Sequence, residues 1–194
     1  MPSTKRTNMD NILFVSLRNM FLIILVTIFY SNVKAQSTDS LVIHIYSVDQ
    51  MRYAIKASDQ NSTVKVGEAL QGNTKEKLLS LKSIQVYPGQ KVHVILTNNS
   101  SLPAMAMSHN WVLLKNNIDP NDFAIASSSA RGNDYIDKSY AKNVIAHTAM
   151  IGGGETSEVS FTAPVKTGEY TYLCTFPGHY LAGMKGSIIV KDDN

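Results

Sequence analysis

Apolar and polar residues alternate with a period of two through much of this chain, the pattern of strands that bury one face. Ile84 and Val86, then Val92 and Val94, are flanked by polar residues on either side of the turn Pro88-Gly89-Gln90. The runs Leu41-Val42-Ile43-His44-Ile45-Tyr46 and Trp111-Val112-Leu113-Leu114 predict two more strands, and residues 157–162, 168–174 and 186–191 predict three others. Many short strands with few helical stretches predict an all-β antiparallel sandwich or barrel in a single domain. Two stretches depart from this rhythm. Residues 56–82 are polar and read as an inserted loop, with a short helix at 74–81; Asp119-Pro120-Asn121-Asp122 reads as a helix start that opens a short helical flap over 121–142.

The start of the chain has a different pattern. Lys5, Arg6 and Arg18 precede the unbroken apolar run from Met20 to Tyr30, and Val33-Lys34-Ala35 follows a polar break. A basic start, a short apolar run and a small residue closing the segment predict a secretory signal peptide over residues 1–35, cleaved before Gln36. The competing reading is a retained membrane anchor. A spanning helix needs about 20 apolar residues, and here Arg18 and Asn19 interrupt any extension of the run backwards. Residues 36–194 form the expected mature domain.

Composition matters mainly through charge and cysteine. The chain has 18 basic and 15 acidic residues, and the leader takes Lys5, Arg6, Arg18 and Lys34 against Asp10. The remainder is therefore balanced, which argues against nucleic-acid binding and against strong electrostatic steering of partners. An apolar fraction of 44% with 17% charged residues suits one packed core. Cys174 is the only cysteine. Exported proteins usually pair their cysteines, so a lone one points to an intermolecular bridge, a reactive thiol or a metal ligand.

Its neighbours favour the metal. Cys174-Thr175-Phe176-Pro177-Gly178-His179-Tyr180-Leu181-Ala182-Gly183-Met184 places a thiolate, an imidazole and a thioether in one inter-strand loop, spaced C-x4-H-x4-M. Met107-Ser108-His109-Asn110-Trp111 offers a second imidazole just before another strand. Two His and one Cys with a weak axial Met make the donor set of a blue-copper electron-transfer site, which suits Cu(I) and Cu(II) alike. Structural zinc sites use several Cys or His and rarely Met. Each residue alone has a plainer reading, as small core thiol, satisfied histidine or packing methionine; the combined spacing selects copper. His44, His93 and His147 read as structural or exposed rather than as ligands.

At these residues the chain resembles the azurins of the cupredoxin family. The likeness covers most of residues 83–194 and includes Ser108-His109-Asn110-Trp111-Val112-Leu113, Val144-Ile145-Ala146-His147-Thr148, Ile151-Gly152-Gly153-Gly154-Glu155 and the segment from Cys174 to Gly186. The resemblance implies an eight-stranded Greek-key β-sandwich, one copper ion cycling between Cu(I) and Cu(II), and electron transfer between redox proteins in the periplasm. It implies His109, Cys174 and His179 as equatorial ligands and Met184 as the axial one, with the backbone N–H groups of Asn110 and Phe176 bonding the thiolate. Met107, Phe176, Gly178 and Leu181 would ring the edge of His179 as an apolar docking patch. Azurins carry Gly where this chain has Ser108, whose carbonyl would be a distant fifth contact. The His-to-Met spacing is one residue longer than in azurins and resembles the loop of auracyanins, and the azurin disulfide is absent.

Three function classes follow. A soluble electron carrier fits the donor set. A copper oxidase or nitrite reductase needs further clustered histidines, and five in total leave too few after two are assigned to the site. A copper-handling or chaperone protein would favour exposed, exchangeable Met and His ligands; Met105, Met107 and Met184 do not form such a tract.

Overall fold

The structure, a computed structural model, describes residues 40–72 and 74–192. The expected leader lies outside them. Ten strands are found among the described residues: β1 (Leu41–Val48), β2 (Arg52–Lys56), β3 (Val64–Leu70), β4 (Leu78–Val86), β5 (Lys91–Asn98), β6 (Val112–Leu114), β7 (Val144–His147), β8 (Thr156–Thr162), β9 (Gly168–Leu173) and β10 (Lys185–Val190). Two short helices, α1 (Ala104–Met107) and α2 (Pro120–Ser127), interrupt them. The strands follow the order β7-β6-β9-β10-β4-β2-β1-β5-β8, with β3 added beside β4. β7 and β8, the two ends of that order, come back alongside each other, so the sheet is nearly closed. β1 with β5 and β4 with β10 pair in parallel; the other pairs are antiparallel.

The alternation in the sequence becomes inside and outside. Along β5, Val92, Val94 and Leu96 are buried while Lys91, His93 and Thr97 face outward. On β1, Ile43 and Ile45 point in and Val42 and His44 point out. The enclosed core centres on Trp111, whose ring lies 5.4 Å from that of Tyr172 and 5.8 Å from that of Phe161. Burial of each large side chain contributes about 1.5–3 kcal/mol. β6 is buried on both faces because α2 packs on its outer side, where Phe123, Ala124 and Ile136 meet Val112, Leu114 and Leu173. That explains the continuous apolar run from Trp111 to Leu114. Asp119 caps α2 by accepting from the N–H groups of Asn121 at 2.7 Å and Asp122 at 3.4 Å, with Pro120 pre-set at the first turn.

Residues 56–82 are not an inserted loop, and no helix forms at 74–81. A 3-10 turn at Ala57–Asp59 leads into β3, which pairs antiparallel with β4. Leu78, Ser80 and Leu81 are buried in a strand paired along both edges, by β3 on one and by β2 and then β10 on the other. β2 and β7 are likewise strands that the alternation did not mark. The ten strands exceed the expected eight partly through this extra β3 edge. Cys174 follows β9, Met184 precedes β10 and His109 precedes β6, and the pairing β6-β9-β10 brings these strand ends together.

Candidate metal centre

The segment from Cys174 to Met184 is a single tight turn with a defined end. The N–H of Ala182 donates to the Gly178 carbonyl at 3.0 Å, that of Gly183 to Tyr180 at 2.9 Å, and that of Met184 to His179 at 2.9 Å. The last two bonds form a Schellman motif, in which the chain reverses through a left-handed residue. Gly183, at φ +100°, supplies that residue. The motif characteristically brings the residue after the glycine against the one five positions earlier; here the pair is Met184 and His179. The spacing H-x4-M is therefore the spacing of the motif itself. Cys174 closes the loop, its N–H donating to the Met184 carbonyl at 3.2 Å.

His109 comes from a separate part of the chain and is held by a separate set of bonds. Its N–H donates to the Ile151 carbonyl at 3.0 Å, and the Ile151 N–H returns to His109 at 2.9 Å. One step on, the Trp111 N–H donates to Thr148 Oγ1 at 2.9 Å, and the Thr148 N–H donates back to Trp111 at 3.0 Å. The buried Asn98 side chain donates to the carbonyls of Met107 at 2.9 Å and Ile151 at 3.2 Å, tying both segments to the end of β5. Asn110 joins this half of the site to the other. Its Oδ1 accepts from the Thr175 N–H at 2.9 Å, and its Nδ2 donates to Thr175 Oγ1 at 2.8 Å and the Asp134 carbonyl at 3.0 Å. The Tyr53 hydroxyl donates to the Asn110 carbonyl at 2.5 Å.

The result is a buried cluster of three donors. Cys174 Sγ lies 3.5 Å from His179 Nδ1 and 3.8 Å from His109 Nδ1. His109 and Cys174 are 0% exposed and His179 only 3%. The two imidazole centroids are 4.7 Å apart, and Phe176 lies 4.7 Å from His179 on another side. Burial pushes the Cys174 thiol up to about 12, against the lowering effect of hydrogen bonds from the backbone N–H groups of Asn110 and Phe176. Burial, together with the neighbouring His179 charge, lowers His109 to about 3, and burial lowers His179 to about 4. At neutral pH the cluster thus holds one thiol and two uncharged imidazoles, so metal uptake has one proton to displace, that of Cys174.

These residues fit copper. A first-row metal with bonds of about 2.0–2.3 Å to nitrogen and sulfur holds neighbouring donors about 3.5–3.8 Å apart at trigonal to tetrahedral angles. The observed separations fall in that interval. Without a cation, the single thiol proton serves only one of the two imidazole nitrogens facing it, and the other lone pair stays poorly satisfied, a cost of about 1–3 kcal/mol. One soft thiolate and two imidazoles is a donor set suited to copper. His109, Cys174 and His179 are brought together; Met184 is fully buried in the same core cluster and adjoins them through the turn. Ser108 is buried, with its Oγ donating to the Ala104 carbonyl at 2.6 Å.

The other histidines lie apart from this centre. His44 and His147 are exposed, and His93 bridges β5 to β8 through Ser160 at 2.7 Å and Glu158 at 3.0 Å. Sequence reasoning missed several supporting residues. Thr148 and Thr175 sit inside the motifs that carry His147 and Cys174 and could have been found there. Asn98, Tyr53 and Arg52 carry no local signal; Arg52 reaches the ligand turn across 130 residues of sequence.

Comparison with known proteins gives a consistent result. The description "copper binding proteins, plastocyanin/azurin family" matches residues 67–191. The azurin of Achromobacter denitrificans is 35% identical over 136 residues, covering 69% of this chain and 86% of that protein. Auracyanin-B of Chloroflexus aurantiacus is 41% identical over 90 residues, which span 44% of this chain and only 37% of auracyanin-B. Among solved structures, the blue copper protein auracyanin A from Chloroflexus aurantiacus superposes with a TM-score of 0.58 at 29% identity, covering 79% of this chain and all of that one.

Proposed function

The chain belongs to the plastocyanin/azurin family of copper-binding proteins, and from that premise we propose that it is a type 1 (blue) copper electron carrier rather than an enzyme. The observation that carries the proposal is the buried His109–Cys174–His179 cluster with two backbone N–H groups bonded to the sulfur. His109, Cys174 and His179 would hold the ion, with Met184 as the weak axial donor and the Ser108 carbonyl as a more distant contact. Copper bound there would take up and release one electron at a time. The protein's part is to keep the donors still. Asn110 and Phe176 hold the sulfur through their N–H groups, the Ile151 bridge holds His109, and the Schellman turn holds His179 with Met184. Donors fixed by backbone need little rearrangement between oxidation states, which is what a carrier requires.

Burial of all the donors favours a carrier over a copper-handling protein, whose ligands must be exposed to exchange metal. Partner redox proteins would dock where His179 comes nearest the surface, on the apolar patch of Met107, Phe176, Gly178 and Leu181; Leu181 is 73% exposed and nearby Met105 72%. Residues 1–35 would act as a signal peptide directing the domain 36–194 to the periplasm. In the test, purified protein loaded with Cu(II) should turn intensely blue, bleach reversibly with reductant, and lose the colour entirely in Cys174→Ala. Colourless, readily exchanged copper would favour the handling role instead.

A further inference from the structure

Resting on the copper reading above, we propose that Arg52 is a positioning residue that clamps the end of the ligand turn and so fixes Met184 relative to His179. Its Nη1 donates to the Ala182 carbonyl at 2.6 Å. The same nitrogen donates to the Met51 carbonyl at 2.9 Å and approaches that of Gln50 at 3.4 Å. One guanidinium therefore ties the β1–β2 turn to the ligand turn.

Both sides of this contact are shaped for it. Arg52 pairs with Val48 at the closed end of the β1–β2 hairpin, and the next residues, Tyr53, Ala54 and Ile55, are buried, so its backbone is anchored in the sheet. On the ligand side, the turn already uses the carbonyls of Gly178, His179 and Tyr180 internally, while that of Ala182 projects past its end to Arg52. The guanidinium lies against Gly183, where a Cβ would come within 3.2 Å of its carbon and one nitrogen. Ala182 and Gly183 directly precede Met184. An axial thioether bond is weak and long, so it cannot pull the backbone into place. The turn's own bonds hold the Met184 backbone to His179 and Cys174, and the external hold on residues 182–183, among the described residues, is Arg52. Arginine suits this role because the planar guanidinium holds the two N–H donors of Nη1 in fixed directions, here toward the Met51 and Ala182 carbonyls, whereas lysine offers a compact, freely rotating point charge.

The test compares wild type with Arg52→Lys and Arg52→Met. In the metal-free proteins, the amides of Gly183 and Met184 should exchange with solvent at least tenfold faster in both variants, while those of His109 and Ile151 keep their wild-type rates. In the copper-loaded proteins, the visible and EPR spectra, which report the axial ligand, should shift in both. In a fixed redox buffer the ratio of reduced to oxidised protein should move at least threefold in Arg52→Lys, about 28 mV at 59 mV per tenfold for one electron. A change of potential in Arg52→Met alone, with unaltered spectra and exchange, would mean that Arg52 acts only as a charge and would overturn the proposal. A loss of thermal stability with unaltered spectra and exchange would overturn it as well. If wild type itself gave no blue chromophore, the copper reading would fail, and the metal-free exchange rates would still decide whether the clamp exists.

Discussion

Cys174, His179 and Met184 fall within one turn, whereas His109 stands 65 residues upstream of Cys174. The first three are held mostly by bonds inside their own loop, ending in the left-handed Gly183. His109 is held by partners from elsewhere: Ile151 and Thr148 from the segment after β7, and Asn98 from β5. A local turn keeps its shape with few outside contacts, because its hydrogen bonds close short rings. A ligand carried by a strand end is placed only as well as the surrounding sheet is registered. Asn110 joins the two regions, since its side chain bonds Thr175 beside the cysteine while its own backbone follows His109.

Acid challenges both regions at once and has the largest expected effect. His109 and His179 titrate far below the ordinary histidine value when folded, so the unfolded chain binds protons first as the pH drops. The contribution of these two histidines is full above about pH 6.5 and is lost as the pH falls toward 4 for His179 and 3 for His109. Between pH 7 and pH 5 each histidine should remove about 2 kcal/mol from the metal-free protein, because one proton bound only by the unfolded chain costs about 1.36 kcal/mol for each pH step of one below 6.5. Urea unfolding of that protein at several pH values checks this, and His109→Gln and His179→Gln should each remove about half of the pH dependence. Cutting the link between the regions comes next. Asn110→Ala leaves the Thr175 N–H and hydroxyl and the Asp134 carbonyl without this partner, and should cost about 3 kcal/mol in the same assay.

Two smaller changes separate the regions. Gly183→Ala forces a Cβ into the left-handed region and against Arg52, and should cost about 1–2 kcal/mol. Its effect on the visible spectrum should exceed that of any change confined to the His109 side, because it displaces Met184. Thr148→Val removes the acceptor of the Trp111 N–H and should cost about 1 kcal/mol with a weaker spectral change. Equal spectral shifts from the two would mean that the regions are not independent.

The cluster of His109, Cys174 and His179 was legible because two of the three share a short loop and the third stands just before a strand beside Trp111. The core strands were legible for a similar reason: Val92, Val94 and Leu96 alternate cleanly because one face meets the core and the other meets water. β3 was not legible. Its residues are largely exposed, Gly67 and Glu68 interrupt its alternation, and its register with β4 shifts twice. The helix expected at 74–81 gave way to β4 from Leu78 onward because pairing with β2 and β3 outweighs a short run's local propensity.

The chain's own order thus determined the donor types, the alternation that builds the sheet, and the His-to-Met spacing that matches a Schellman turn. Local spacing can do this because a turn and a strand are each set by residues a few positions apart. Only the tertiary structure decided that His109 faces Cys174, that Tyr53 and Asn110 brace the two halves, and that Arg52 reaches Ala182. These contacts join residues far apart in sequence, and it is strand order and register that bring them within bonding distance.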